Sequence, residues 1–244
     1  MKHLRIFASM EEFEAAKPAM DTPFVVLEEG TPKVIYSNLV EINEDELPEG
    51  VVDLGLPSGL KWASCNIGAD KPCDSGLLFQ FGRVDGYAYG DTNHQFSSTN
   101  PPVTTSGKTY NAGDVLDPAD DAAYVATVGK LRMPTMEEID ELVLGTTKEW
   151  CQCTVLGEDH TSHVVYGRLF TSKTNGNKIF IPAAGYFLGS DDSFYDAGSY
   201  GYVWSSSVYS YGPDDAYGLN FGSGYCSRGS NSRYSGFSVR GVCA

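Results

Sequence analysis

The sequence predicts an α+β fold, and three observations support that class. Short β-branched and aromatic runs, separated by turn residues, recur along the 244-residue chain and indicate many strands. Only two helices are predicted after residue 50. Runs of strands with a few segregated helices are typical of α+β proteins, whereas alternating strands and helices would indicate βαβ units.

The first 42 residues predict a small β-α-β-β module for attachment. A short strand over residues 4–7 precedes Ser9 and Glu12, whose S-x-x-E pattern starts a helix through about Lys17. The runs FVVLEE and KVIYS flank the turn tripeptide GTP and predict a hairpin. A unit of this size buries little apolar area, so we expect it to dock on something larger. Residues 43–50, NEDELPEG, are predicted to be an acidic, solvated linker.

Residues 51–244 predict one larger domain of short antiparallel strands with two helices. DLGL and LKWAS on either side of PSG indicate a further hairpin. One weak helix is predicted over DPADDAAYVATVG, and a second follows LRMPT, where Thr135 and Glu138 form a T-x-x-E capping box. The C-terminal strands are predicted in IFIPAAGY, YVWSSS, AYGLNF and FSVRGV.

Charge and cysteine content narrow the classes of function. A formal net charge of -15 disfavours nucleic acid and anionic membranes as partners. No apolar run approaches the roughly 18 residues that a spanning helix needs, and the start MKHLRIFASMEEF is charged where a signal peptide would be apolar. Six cysteines lack the spacing of a disulfide framework, so we expect reduced thiols and synthesis in a cytoplasm.

The last 40 residues lack five residue types. Lys, Glu, Gln, Met and Trp number 35 in residues 1–204 and zero in residues 205–244. A codon that ends in a pyrimidine cannot encode any of the five, so their absence is expected if many tail codons were randomised at the first two bases. The remaining Tyr, Ser, Gly, Asn and Asp resemble the composition of antibody loops. We therefore predict a binding face, with a plain structural or flexible tail as the alternative.

Apolar residues spaced through the tail favour order over flexibility. In AYGLNFG, the alternation places Tyr217, Leu219 and Phe221 on one face of a strand. The other face, with Gly218, Asn220 and Gly222, is predicted to be exposed.

Five motifs in order resemble the paralogous surface domains of gut Bacteroidetes and their phages. They are VDLGLPSGLKWASCNIGA, LRMPTMEEIDEL, SKTNGNKIFIPAAGY, YDAGSYGYVWSSS and GFSVR, and they cover about residues 51–242. The resemblance implies a C-type-lectin-like fold related to the formylglycine-generating-enzyme type. Several such domains are the variable proteins of diversity-generating retroelements, in which a reverse transcriptase mutates template adenines and rewrites the 3' end of the target gene. The resemblance therefore implies a variable region at about residues 205–240 of this chain.

The resemblance also implies which positions change and bind ligand, between a fixed frame of WSSS, Ala216, Tyr217, Leu219, Phe221 and GFSVR. The changeable positions are Tyr209, Ser210, Tyr211, Asp214, Asp215, Gly218, Asn220, Tyr225, Ser227, Ser230, Asn231, Ser232, Tyr234 and Ser235. The four tyrosines are the expected aromatic anchors. AAY codons mutated at adenine never give the five missing residue types, which fits this mechanism.

The function implied is that of a phage virion or tail adhesin that binds a host-cell surface receptor, either a glycan or a protein. The first 38 residues resemble leader modules of phage structural proteins and imply attachment to other virion proteins, with homo-oligomerisation left open. No cofactor, nucleic acid or membrane insertion is expected. The alternative is a structural decoration protein of the capsid or tail. An enzyme of the formylglycine-generating type is disfavoured, because Cys226 and Cys243 have no flanking base or metal cluster.

Two sets of residues have the chemistry of metal ligands. Cys151, Cys153, His160 and His163 offer four zinc ligands, but C-x-C with H-x-x-H is not a finger pattern. The acidic loops GPDD and GSDD supply oxygen ligands for calcium, although paired Asp residues in turns are usually solvated. We expect no bound metal.

The three tryptophans are candidate sugar-stacking platforms. Trp62, Trp150 and Trp204 each lie in an apolar, strand-like segment. We therefore expect them to pack in the core.

Overall fold

A computed structural model describes residues 5–7, 24–28, 31–35, 40–156 and 162–244. The chain divides into two compact units, Met1–Val40 and Glu41–Ala244. The helix predicted after Ser9 and the candidate zinc ligand His160 lie outside the described residues.

The first unit contains a three-stranded sheet. Its strands are β1 (Arg5–Phe7), β2 (Phe24–Glu28) and β3 (Thr31–Ile35), in the order β1-β2-β3. Strands β2 and β3 pair antiparallel from Phe24 opposite Ile35 to Glu28 opposite Thr31, so the predicted hairpin is confirmed. Strand β1 pairs parallel with β2.

The second unit contains fifteen of the described strands and two α-helices. The strands before the helices are β4 (Val40–Asn43), β5 (Val51–Asp53), β6 (Lys61–Asn66), β7 (Leu78–Gln80) and β8 (Gly86–Tyr87). The helices are α1 (Ala122–Ala126) and α2 (Met136–Gly145). The later strands are β9 (Thr146–Leu156), β10 (Ser162–Ser172), β11 (Lys178–Pro182), β12 (Tyr186–Leu188), β13 (Ser193–Tyr195), β14 (Tyr200–Val208), β15 (Asp215–Gly222), β16 (Cys226–Ser232), β17 (Gly236–Ser238) and β18 (Arg240–Cys243).

Three sheets organise these strands. A four-stranded sheet has the order β11-β10-β9-β4, and a three-stranded sheet has the order β18-β6-β5. The largest sheet runs β13-β12-β17-β14-β15-β16, with β7 and β8 attached at β17. Strand β16 therefore lies at an edge of the largest sheet.

The predicted α+β class is wrong, because the fold is mostly β. Strands account for 42% of the structure and helices for 11%. Helix α1 has 5 residues and α2 has 10, whereas β9 and β10 have 11 residues each. The strands are neither uniformly short nor uniformly antiparallel, since β14 pairs parallel with β17. Apolar residues at alternate positions and frequent glycine turns favour strands along most of the chain.

Local signals at the helices and at one hairpin are confirmed. The Thr135 side chain accepts from the Glu138 amide, and the Glu138 side chain accepts from the Thr135 amide, which completes the predicted capping box of α2. Strands β5 and β6 pair antiparallel around the PSG turn. None of the described helices is long and apolar enough to cross a membrane.

The acidic stretch predicted to be a solvated linker is exposed at five of its eight positions and anchored at two buried ones, Glu44 and Leu47. Strand β4 joins the sheet beside β9, and Glu44 is buried within 3.3 Å of the Lys71 ammonium. Ile42 and Leu47 on either side are also buried. These two apolar anchors hold the acidic segment on the second unit.

All three tryptophans are buried, which confirms the prediction of core packing. Trp204 is fully buried, its ring stacks on Phe237 at 4.2 Å, and its indole N–H donates to the Phe79 carbonyl at 2.8 Å. Trp62 and Trp150 are 1% and 8% exposed, so neither presents a ring face to a sugar.

Two of the six cysteines form a disulfide, so the prediction of reduced thiols is wrong for that pair. Cys73 bonds to Cys153 of β9, with the two Cα atoms 6.7 Å apart. The bridge ties the segment between β6 and β7 to the four-stranded sheet. The two residues are 80 positions apart in the chain, which is why spacing did not reveal the pair.

Candidate binding surface

The candidate surface is built on an edge hairpin, which we define as β15, the turn at residues 223–225, and β16. The two strands pair without interruption from Asp215 opposite Ser232 to Phe221 opposite Cys226. Strand β15 is buried at six of its eight positions, and β16 is buried at none of its seven. The hairpin therefore has one strand in the core and one strand accessible to a partner.

Strand register assigns the predicted residues to two faces of the hairpin. Directly opposed residues share a face, so Leu219 shares a face with Arg228, and Asn220 shares the other face with Ser227. Arg228 Nη1 lies 2.6 Å from the Asp140 carboxylate of α2. We call the first surface the helix face and the second the opposite face.

An aromatic cluster with one arginine lies at the helix face. The Tyr209 ring lies 5.5 Å from Tyr211 and 5.2 Å from Tyr217, and the Arg228 guanidinium lies 5.1 Å above Tyr217. The Tyr217 hydroxyl donates to Ser210 Oγ at 3.2 Å. Tyr211 is 86% exposed, so this cluster presents a large aromatic ring to solvent.

The other predicted residues of the helix face are polar and accessible to different degrees. Ser230 is exposed opposite Tyr217. Asp215 and Ser232 are half-buried and bond to each other, with Ser232 Oγ 3.1 Å from Asp215 Oδ1. Asp214 is exposed in the loop before β15.

The opposite face carries a pair of amides. Asn220 and Asn231 each donate to the other's side-chain oxygen at 3.1 Å. The Asn220 amide passes over Gly229, where a Cβ atom would lie 2.4 Å from its nitrogen. Ser227 is exposed on the same face.

Two of the predicted binding positions, Gly218 and Ser235, are buried. A Cβ atom at Gly218 would lie 2.7 Å from the Val203 carbonyl oxygen, and Ser235 is 5% exposed. Gly222 is buried as well, which makes the predicted exposed face of β15 wrong at two of three positions. Alternation identified the residues that share a face, but it could not show that the Val203 carbonyl and the Tyr200 ring of the neighbouring strand β14 crowd Gly218 and Gly222.

Tyr225 and Tyr234 lie in different surroundings. Tyr225 is 42% exposed in the turn of the edge hairpin. Tyr234 is half-buried beyond the end of β16, where its amide donates to Asn100 Oδ1 at 3.1 Å and its ring packs beside Gly189. The structure therefore brings Tyr225 to the hairpin and leaves Tyr234 in a separate contact.

A buried arginine that the sequence analysis missed fixes the turn of the hairpin. Arg168 of β10 donates to the main-chain carbonyls of Gly222, Ser223 and Tyr225, and also to that of Lys148. Burial lowers the pKa of its guanidinium. The available signal was an arginine within the apolar run VVYGRLF, because a charge in such a strand needs internal acceptors.

Two further buried arginines bond to main-chain carbonyls. Arg233 Nη1 donates to Pro213 O at 2.9 Å, and its amide donates to Asp214 O at 3.0 Å. Arg240 is fully buried and bonds to the carbonyls of Ala63, Ser64 and Phe180. Arg240 also donates from Nε to Asn66 Oδ1, whereas Arg233 holds the loop at residues 209–215 through main-chain carbonyls.

The structure does not support the alternative chemistry at the cysteines. Burial raises the pKa of Cys226 to about 11, so the thiol is protonated at neutral pH. Cys243 lies on β18, in a different sheet from Cys226. Cys153 is bonded to Cys73 and cannot be a zinc thiolate. Across the described ranges, no group of three His, Cys, Asp or Glu side chains is placed to hold a metal ion.

Comparison with known families identifies a match to part of the chain. A domain of unknown function (DUF8237) matches residues 158–242, a range that includes β10, the edge hairpin and β17. Neither a curated protein nor a solved structure matches the chain.

Proposed function

We propose that this protein is a receptor-binding adhesin of a phage virion, in which the edge hairpin and the loop at residues 209–215 form a diversified contact surface. The N-terminal unit would attach the protein to other virion proteins, and the surface would bind a host-cell receptor. The protein would be synthesised in the host cytoplasm and displayed on the surface of the particle. The resemblance to the variable proteins of diversity-generating retroelements supports the proposal that the surface is diversified.

The observation that carries the proposal is that buried arginines support the candidate surface through its main-chain atoms and not through its exposed side chains. Arg168 holds the turn of the hairpin through three carbonyls, and Arg233 holds the 209–215 loop through one carbonyl and its own amide. Every residue has these main-chain groups, so substitutions of the exposed side chains leave the bonds in place. A surface built in this way tolerates sequence change while its shape is preserved.

The proposed surface also has the chemistry of a paratope. Tyr211 and Tyr225 supply exposed aromatic area, and Ser227, Ser230 and Asn231 of β16 supply small polar groups. Tyrosine loses little conformational entropy on binding, and small polar residues adapt their hydrogen bonds to different ligands. Several copies on one particle would raise a weak single-site affinity through avidity.

Sequencing the 3' end of the gene across many particles of one lineage tests the proposal. We expect substitutions at the accessible positions of β16, the turn and the loop. Leu219 and Phe221 should be spared, and the structure adds Gly218 and Ser235 to the invariant set. A tail that is invariant, or one that changes equally at buried and accessible positions, would refute a diversified surface.

A structural decoration protein is the second candidate, favoured by the position of β16. An edge strand has unpaired main-chain groups along its outer side, which a strand of a neighbouring subunit can pair with. The lineage experiment separates the two candidates, because subunit packing requires an unchanging surface.

A further inference from the structure

A row of five tyrosines lies on the opposite face of the largest sheet, and four of them are outside the predicted variable positions. We define the tyrosine belt as Tyr186, Tyr195, Tyr200, Tyr202 and Tyr225. Tyr186 is paired with Tyr195 across β12 and β13, so the two share a face. Tyr202 of β14 is opposite Asn220, which places it on the opposite face of the hairpin.

The rings contact one another in two groups along this face, one of three rings and one of two. The ring centroids are 5.5 Å apart for Tyr195 and Tyr186, 5.1 Å for Tyr186 and Tyr202, and 6.1 Å for Tyr200 and Tyr225. Gly222 makes room for the last pair, because a Cβ atom there would lie 2.8 Å from the Tyr200 ring. The glycine at this position is therefore required by the belt.

Core residues hold the inner part of the belt, while its outer rings remain accessible. Tyr202 stacks on the buried ring of Phe237 at 4.8 Å, and Tyr186 packs on the same cluster. Tyr200 and Tyr225 are 38% and 42% exposed. Rigid rings with open faces are a preorganised surface, which lowers the entropic cost of binding.

The belt has neutral hydroxyl groups and an acidic border. Burial raises the pKa of Tyr186, Tyr202 and Tyr225, and the nearby Asp196 carboxylate raises each of them further. The hydroxyls therefore stay protonated and can donate or accept hydrogen bonds. Asp191 and Asp196 are exposed beside the belt, and the Tyr195 hydroxyl donates to Asp191.

We infer that the tyrosine belt is a binding platform for a neutral carbohydrate. The C–H edges of a pyranose ring carry partial positive charge and stack on the electron-rich faces of tyrosine rings. Sugar hydroxyls can bond to the tyrosine hydroxyls, to the Asp196 carboxylate and to the Asn220 and Asn231 amides. The carboxylates repel phosphate, sulfate and uronate groups, which restricts the ligand to uncharged sugars. The inference goes beyond receptor binding by the variable positions.

Affinity electrophoresis of the full chain through gels that contain dextran, mannan, galactan or polygalacturonate tests this inference. We expect retardation by at least one of the three neutral polysaccharides and none by polygalacturonate. Tyr195→Ala and Tyr225→Ala should each weaken the neutral binding about tenfold. Tyr124→Ala is the matched control, because it removes a tyrosine of α1 that is 40% exposed and lies outside both the belt and the edge hairpin, and it should leave binding unchanged.

Three outcomes would overturn the platform. They are retardation by none of the neutral polysaccharides, retardation by polygalacturonate as strong as by the neutral polysaccharides, and an equal loss in Tyr124→Ala. The test is independent of the lineage sequencing. Polysaccharide binding with an invariant tail would support the platform and refute diversification. A variable tail without polysaccharide binding would support diversification and refute the platform.

Discussion

Strands β15 and β16 are paired residue by residue, yet they have opposite relations to solvent. Strand β15 places Leu219 and Phe221 in the core with no exposed area, whereas every residue of β16 retains some. The fold therefore depends on β15, and the partner surface depends on β16. This separation shows how a protein can vary one strand of a hairpin and keep the structure, because hydrogen bonds within the hairpin are made by the backbone.

The largest expected effect comes from truncating a core residue of β15. Phe221→Ala removes a fully buried ring that packs edge-on against Phe170, and it should destabilise the second unit by about 3–5 kcal/mol. Guanidinium unfolding followed by tryptophan fluorescence measures this, since all three tryptophans lie in that unit. The matched change Ser227→Ala on β16 should cost less than about 0.5 kcal/mol. Similar losses of unfolding free energy in the two variants would show that β15 and β16 do not differ in their contribution to stability.

The second effect comes from the support beneath the turn. Arg168→Met keeps most of the side-chain volume but leaves carbonyl acceptors unpaired, and it should cost about 2 kcal/mol. Amide hydrogen exchange should also become faster at residues 222–226. Arg228→Met is the control, because its ion pair with Asp140 is solvent-exposed and contributes less than about 1 kcal/mol. If Arg168→Met left exchange in the turn unchanged, the guanidinium would not be what fixes the backbone there.

A third test uses two glycines that are directly opposite each other in the hairpin. Gly218→Ala places a methyl group against the Val203 carbonyl, which cannot move without its strand, and it should cost about 1–2 kcal/mol. Gly229→Ala instead meets the end of the Asn220 side chain, which can rotate away. The second variant should cost no more than the loss of the Asn220–Asn231 pair, about 0.5–1 kcal/mol, in the same unfolding assay. A reversed order would mean that β16 is the more constrained strand.

The sequence predicted the features that depend on neighbouring residues in the chain, and it did not predict the contacts between residues far apart in the chain. Alternation identified Leu219 and Phe221 as core residues, and the Thr135 capping box marked the start of α2, because both signals depend on neighbours in the chain. The burial of Gly218 depends on β14, the Cys73–Cys153 disulfide joins residues 80 positions apart, and Arg168 contacts a turn more than 50 residues away. The tyrosine belt likewise forms only when separate strands align. Composition did show that the tail differs from the rest, but register was needed to divide its residues between two faces.

The smallest effect is expected at the amide pair of the opposite face. Asn231→Ala removes two hydrogen bonds that are partly open to water, so it should cost only about 0.5–1 kcal/mol. Asn231→Asp keeps the size of the side chain but offers no donor to the Asn220 oxygen, and it should weaken polysaccharide binding more than stability. Unfolding and affinity electrophoresis of both variants separate these effects. If Asn231→Ala lowered the free energy of unfolding by several kcal/mol, β16 would support the fold at that position as β15 does. The contrast between the two strands would then not hold there.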